Sequence, residues 1–140
     1  MDAARNFTPG ANGCIWNDPE GRIFEWTLGK PAPTFRGQVF LTPIQALVRL
    51  ADQRIYASAG PEIAHWYVLE GGSVLARDLG VPVSTLTTRR YGLQFSSLAV
   101  GPGGEIYAAE NDFGGHLWIY FPQKKAPGLT ARSLNPTNYA

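Results

Sequence analysis

The amino-acid sequence predicts an all-β domain assembled from repeated four-stranded units, and three observations carry that prediction. Short apolar runs rich in β-branched and aromatic residues alternate with Gly, Pro, Asn and Asp turn signals along the whole chain. No segment of about ten residues or more combines a 3.6-residue hydrophobic period with the absence of Gly and Pro. The chain also matches itself. Ile106-Tyr107-Ala108 falls on Ile55-Tyr56-Ala57, His116 on His65 and Leu98 on Leu47, all at an offset of 51 residues.

The clearest unit is Phe95 to Phe121, in which three extended runs are separated by turns at Gly101-Pro102-Gly103-Gly104 and Asn111-Asp112-Phe113-Gly114-Gly115. Its last run, Leu117-Trp118-Ile119-Tyr120-Phe121, is apolar at every position, as a strand covered on both faces should be. Downstream, Ala131-Arg132-Ser133-Leu134 matches Ala76-Arg77-Asp78-Leu79 at an offset of 55, which puts four extra residues in Gln123 to Gly128. A weaker copy lies at the N-terminus, where Cys14-Ile15-Trp16 matches Arg54-Ile55-Tyr56 and Ile23-Phe24-Glu25-Trp26 matches Ile63-Ala64-His65-Trp66, both at an offset of 40. Repeats of about 40 to 55 residues with roughly four short strands each are the signature of β-propeller blades. The expected architecture is a single propeller-like domain over 1–140, with three four-stranded antiparallel blades at approximately 1–40, 41–91 and 92–140.

In the first blade, strands are expected near Asn6 to Thr8, Cys14 to Asn17, Arg22 to Thr27 and Pro33 to Gln38, with turns at 9–13 and 18–21. In the second, they are expected at Ala46 to Leu50, Arg54 to Ser58, Ile63 to Leu69 and Val74 to Leu79, with turns at 51–53, Gly60-Pro61 and Gly71-Gly72. Pro43 to Asp52 comes nearest to a helical pattern, but its repeat match argues for strand. The polar run Pro82 to Tyr91 connects to the third blade, whose last strand is expected at Leu129 to Leu134.

Closed propellers carry about four to eight blades, so three leave apolar faces and an unpaired edge in water. Assembly is therefore expected, with two copies giving a six-bladed ring as a homo-oligomeric dimer. The alternative is that the chain is an excerpt of a longer propeller.

Composition narrows the function. Hydrophobic residues make up 44% and charged residues 16%, and the 16 Gly and 11 Pro are spread between apolar runs, which describes strands and turns and not disorder. A formal charge of +1 from 12 basic and 11 acidic residues is too balanced to direct the protein to nucleic acid or an anionic membrane. The pairs Arg89-Arg90 and Lys124-Lys125 read as solvated loop charges. No apolar run approaches the ~20 residues of a membrane span, and the N-terminal MDAARNFTPG lacks an apolar secretory core, so a cytoplasmic location is expected. The single cysteine, Cys14, excludes an intrachain disulfide and reads as a packed residue and not a nucleophile.

Few residues suggest chemistry. His65 and His116 occupy equivalent repeat positions, but the repeat itself explains them, and no cysteine or carboxylate joins them at metal-ligand spacing. Glu110-Asn111-Asp112 and Asn17-Asp18-Pro19-Glu20 lack the spacing of a calcium loop and read as turns. There is no nucleophile elbow or phosphate-binding glycine loop, and no cofactor is expected. The four tryptophans and six tyrosines are numerous for this length. Most should pack between blades, while some at strand ends can offer a ring face to a sugar.

Arg54-Ile55-Tyr56 followed by Ile63-Ala64-His65-Trp66 resembles the blade pattern of the fungal and bacterial fucose-binding propeller lectins. In those lectins an Arg-Val-Tyr strand precedes an Ile-x-Glu strand and a Gly-Trp loop. Their arginine and glutamate bind sugar hydroxyls between blades, and short members build rings from several chains. The second blade keeps the arginine as Arg54, with His65 at the glutamate position. The first keeps the glutamate as Glu25, with Cys14 at the arginine position, and the third shows Glu105 and His116. Gly101 to Ala108 with Ala131-Arg132 is similar to the tachylectin-like propellers. The resemblance implies a non-enzymatic, carbohydrate-binding lectin-like module with shallow sites between blades. The candidate ligand residues are Glu25, Trp26, Arg54, Tyr56, His65, Trp66, Tyr107, His116 and Trp118, with a glycan or other small molecule as partner. The alternatives are an enzyme acting on an apolar substrate, with His65, His116 and Glu110 as its polar groups, and a protein-interaction scaffold.

Overall fold

The computed structural model describes residues 5–84, 92–111, 116–122 and 130–134, with Arg5, Ser84 and 130–134 described as backbone. Residues 112–115 of the turn expected at 111–115, the insertion expected at 123–128 and the pairs Arg89-Arg90 and Lys124-Lys125 lie outside these residues. The elements are all strands: β1 Arg5–Gly10, β2 Gly13–Asn17, β3 Arg22–Thr27, β4 Thr34–Gln38, β5 Ile44–Arg49, β6 Ile55–Ala59, β7 His65–Leu69, β8 Arg77–Gly80, β9 Val83–Ser84, β10 Phe95–Val100, β11 Ile106–Glu110, β12 Leu117–Tyr120 and β13 Thr130–Leu134. No helix is present among the described residues, and none is therefore long and apolar enough to cross a membrane.

The strands form three sheets, ordered β1-β2-β3-β4, β5-β6-β7-β8 and β10-β11-β12-β13-β9, here called sheets 1, 2 and 3. Every pairing between successive strands is antiparallel, and β9 joins the far edge of sheet 3 parallel to β13. That short strand falls in the segment expected to be only a connector. The first strands of the sheets, β1, β5 and β10, lie side by side. A bulge in β1 puts Asn6 at φ 51°, and its Nδ2 donates across to the carbonyl of Ile44 at 2.7 Å and to Asn17 Oδ1 at 2.9 Å. Tight turns with positive φ favour glycine, although Gln53 also adopts φ 75°. Gly21 has φ 82°, and a Cβ there would lie 2.1 Å from the carbonyl oxygen of Val39.

Two apolar cores hold the sheets face to face. Ile15, Ile23 and Val39 of the sheet 1 segment meet Ile44, Leu47, Ile55, Ala57, Ala59, Tyr67 and Leu69 of sheet 2. On the other face of sheet 2, Val48, Leu50, Tyr56, Ala64, Trp66 and Val68 meet Phe95, Ile106, Ala108 and Trp118 of sheet 3. Alternating side chains of β6 thus serve opposite cores, which explains why all five of its residues are buried. The outermost strand of sheet 1, β4, also approaches sheet 2 closely, where a Cβ on Gly37 would lie 2.6 Å from Leu69 Cδ1 of β7 and from the Val74 carbonyl oxygen of the β7–β8 connection.

The offset of 51 agrees with the ladders, since Ala59 pairs with His65 as the Glu110 amide bonds the His116 carbonyl. The offset of 40 does not. Ile15 faces sheet 2 from sheet 1, whereas Ile55 faces sheet 1 from sheet 2, so the two residues oppose each other across one core and are not equivalent. Because side chains alternate along a strand, a match displaced by one residue exchanges the faces.

Candidate ligand site between sheets 2 and 3

Arg54 immediately precedes β6, and Tyr56 follows two positions on, so both side chains project from the sheet 2 face that meets sheet 3. The Arg54 guanidinium is held in place. Its Nε donates to Asp52 Oδ2 at 2.8 Å, its Nη1 to the Tyr56 hydroxyl at 3.1 Å, and its carbon lies 5.7 Å from the Tyr56 ring centroid. From sheet 3, Tyr120 meets Tyr56 edge-on at 5.9 Å and Trp66 at 5.8 Å. Arg77, Asp78 and Leu79 of β8 and Pro122 complete the walls of a pocket of about 240 Å3.

The electrostatics make this pocket rich in donors. The hydrogen bond to Asp52 raises the Arg54 guanidinium above its ordinary pKa, and the same bond holds the Asp52 carboxyl below the usual range. Burial, with the neighbouring Tyr120, pushes the Tyr56 phenol up to about 12, and burial raises Tyr120 as well, so both hydroxyls keep their protons at neutral pH. Arg77 Nη2 donates outward to Glu70 Oε1 at 2.9 Å. Asp78 is engaged elsewhere, accepting from the Gly80 amide at 2.7 Å and lying 3.0 Å from His65 Nδ1.

The other sequence candidates are dispersed. His65 lies on the sheet 2 face opposite Tyr56 and Trp66, stacked on Tyr67 at 6.5 Å, so no Arg54–His65 pair forms. Glu25 sits between sheets 1 and 2, where its Oε2 accepts from Arg49 Nη1 at 2.6 Å and Arg36 Nη1 at 3.3 Å. An arginine and a glutamate do meet between sheets, but the arginine is Arg49 and not a residue at the Cys14 position. Trp26 lies beside Cys14 on the sheet 1 face away from sheet 2, donating through Nε1 to the Lys30 carbonyl. Cys14 is accordingly half-buried on an outer face and not in the core. Tyr107 lies on the far face of sheet 3 and donates to Glu105 Oε1.

Trp66 and Trp118 are fully buried and offer no ring face to a ligand. Glu110 is buried beneath sheet 3, where Oε1 accepts from the Leu93 amide at 2.8 Å and Oε2 from Trp118 Nε1 at 2.7 Å, with His116 Nδ1 at 3.8 Å. That arrangement anchors the chain entering β10. Arg77 and Tyr120 were missed as ligand candidates, although Arg77 belongs to the Ala-Arg repeat and Tyr120 to the apolar run that defined the third unit.

No protein-family model matches the chain, and no curated protein does. A solved structure described as YCF48 bound to D1 peptide is similar, with a TM-score of 0.61 at 14% sequence identity, covering 97% of this chain and 40% of that one. The chain thus spans about two fifths of that protein's length. At this identity the likeness concerns the fold alone. Taken with the three sheets and the absence of helix among the described residues, it makes this a propeller-like all-β chain.

Proposed function

We propose that the chain is a non-enzymatic binding module of propeller type whose ligand enters the pocket between sheets 2 and 3. The observation that supports this is the convergence of Arg54, Tyr56, Arg77 and Tyr120 on one space of about 240 Å3, smaller than the pockets that enclose drug-sized ligands and so open to one small polar group at a time. Guanidinium and neutral phenol groups donate, so the ligand must present acceptors. A glycan residue does so through its hydroxyl oxygens and, in acidic sugars, through a carboxylate that a guanidinium binds well. On this reading the three sheets are three blades, at about 1–40, 41–91 and 92–140 except that β9, within the second span, joins the edge of the third sheet, and further sheets complete the ring. The enzymatic alternative is not favoured, because an apolar substrate would strip water from the guanidinium and phenol groups that line this pocket without replacing it.

A glycan array probed with the folded chain tests the proposal. Binding to a defined glycan that is lost in Arg54→Ala, and retained in Glu25→Ala, supports it. A folded chain that binds no glycan rejects it. A second reading, an interaction scaffold for a protein partner, is favoured by the peptide bound to the YCF48 structure. It predicts instead that Arg54→Ala weakens capture of acidic or carboxylate-terminated peptides on a peptide array while glycans give no signal.

A further inference from the structure

The face of sheet 1 turned away from sheet 2 carries an aromatic ridge that crosses all four strands. Phe7 and Trp16 stack at 5.7 Å between centroids, Trp16 and Phe24 at 6.0 Å, and Phe24 meets Phe35 edge-on at 5.9 Å. Phe7 is 62% exposed and Phe35 47%. Ile15 and Ile23, which alternate with the ridge residues, are fully buried against sheet 2. Both faces of sheet 1 are therefore apolar, and the described residues cover only one. A sheet meant to face water alternates apolar with polar residues instead. At the other end of the stack, the face of sheet 3 turned away from sheet 2 presents Ala99, Tyr107, Ala109, Leu117 and Ile119, related to one another by the cross-strand pairs Ala99↔Tyr107, Tyr107↔Ile119 and Ala109↔Leu117, with Ser97 opposite Ala109 and Arg132 opposite Ile119 at its margins.

We propose that the aromatic ridge of sheet 1 receives the outward face of sheet 3 of a second copy, head to tail. This rests on the propeller reading and adds which surfaces meet. Both internal interfaces follow one rule: a sheet covers its successor with one face and receives its predecessor on the other. Among the described residues, the ridge is a receiving face with no sheet before it, and the Tyr107 face is a covering face with no sheet after it. Joining them continues the established interface, whereas ridge against ridge would join two receiving faces, for which the chain holds no precedent. Size complementarity favours the same choice. Ala99 and Ala109 leave room for bulky rings, as Ala108 does in the core with Tyr56 and Trp66. Two copies joined this way make two identical contacts and close on themselves, which covers both of these outward faces.

Light scattering on the purified chain with variants at each face tests this. The wild type is expected near twice 15.3 kDa, and Trp16→Glu and Ile119→Lys are each expected to give monomers. An equimolar mixture of the two variants should recover a dimer, because each mixed pair keeps one intact contact. Phe7→Glu serves in place of Trp16→Glu if that variant does not fold, since Phe7 is largely exposed. A wild-type monomer overturns the proposal. So does a dimer broken by the sheet 1 variant and indifferent to Ile119→Lys, the signature of ridge meeting ridge. The Arg54 pocket lies within one chain, so a monomer that still binds its glycan refutes the pairing and leaves the binding reading intact.

Discussion

Arg49 Nη1 lies 2.6 Å from Glu25 Oε2, so the first strand of sheet 2 is tied by an ion pair to the third strand of sheet 1. Both side chains are less than one-fifth exposed, at 18% and 17%, and Arg36 approaches the same carboxylate oxygen at 3.3 Å. Screening by water is weak at that depth, and loss of either partner leaves a charge that is costly to keep. Glu25→Ala is expected to lower stability by about 2 kcal/mol in urea unfolding. Arg49→Ala should cost less, because Arg36 remains. Equal losses would show that Arg36 contributes nothing to holding the carboxylate.

Alkaline titration reads the Tyr56–Tyr120 contact. An unfolded phenol ionises near pH 10, whereas folded Tyr56 holds its proton to about 12. A folded pKa raised above the unfolded one gives stability that is complete below pH 10 and is lost as the pH rises toward 12. The urea midpoint should fall across that window, and it should fall less steeply in Tyr56→Phe. An unchanged slope in that variant would mean that Tyr56 ionises freely in the folded chain.

Two buried polar side chains should respond in opposite ways. Ser58 Oγ has no hydrogen-bond partner among the described residues, while Asn17 accepts from Asn6 Nδ2 at 2.9 Å and donates to the Asp18 carbonyl at 3.0 Å. Ser58→Ala removes an unsatisfied group and is expected to be neutral or stabilising by up to about 1 kcal/mol. Asn17→Ala removes both of these bonds and opens a gap at a 1% exposed site, although Asn6 Nδ2 keeps the Ile44 carbonyl and the Asp18 carbonyl keeps the Gly21 amide, so it should cost about 1 kcal/mol or somewhat more. A substantial loss in Ser58→Ala would reveal a partner for its hydroxyl.

Gly21 is fixed by both backbone and space. Its φ of 82° strains any side chain by roughly 1–3 kcal/mol, and a Cβ would strike the Val39 carbonyl. Gly21→Ala should therefore destabilise more than Gly72→Ala, whose φ is also 82° but which has open space around it. Comparable losses at both glycines would assign the whole effect to φ.

Strand positions were legible because turn residues and apolar runs mark them locally, and the offset of 51 was legible because sheets 2 and 3 share their hairpin lengths. The N-terminal alignment was not. Its short motif matched in residue type, yet only packing shows that Ile15 and Ile55 face each other. Arg54 and Tyr56 were readable as neighbours two apart on one face. Tyr120 joins them from 64 residues away, and Arg49 reaches Glu25 from another sheet. No spacing rule encodes those meetings, because they depend on how the sheets stack. The buried tryptophans illustrate the same limit: composition counted them, but only the cores distinguish Trp66 and Trp118 from the half-exposed Trp16 and Trp26.

The parallel pairing of Val83 and Ser84 with Thr130 and Ala131 has a temporal meaning. The outermost edge of the last sheet is supplied by a segment translated 47 residues before its partner, so sheet 3 cannot be completed in the order in which its strands leave the ribosome. Until residue 130 emerges, β9 has nothing to bind, and closing so long a loop is slow compared with forming the hairpins it encloses. The nascent chain therefore tends to settle its first two sheets early and clasp its third last, with the clasp holding the polypeptide's two ends of that sheet in register.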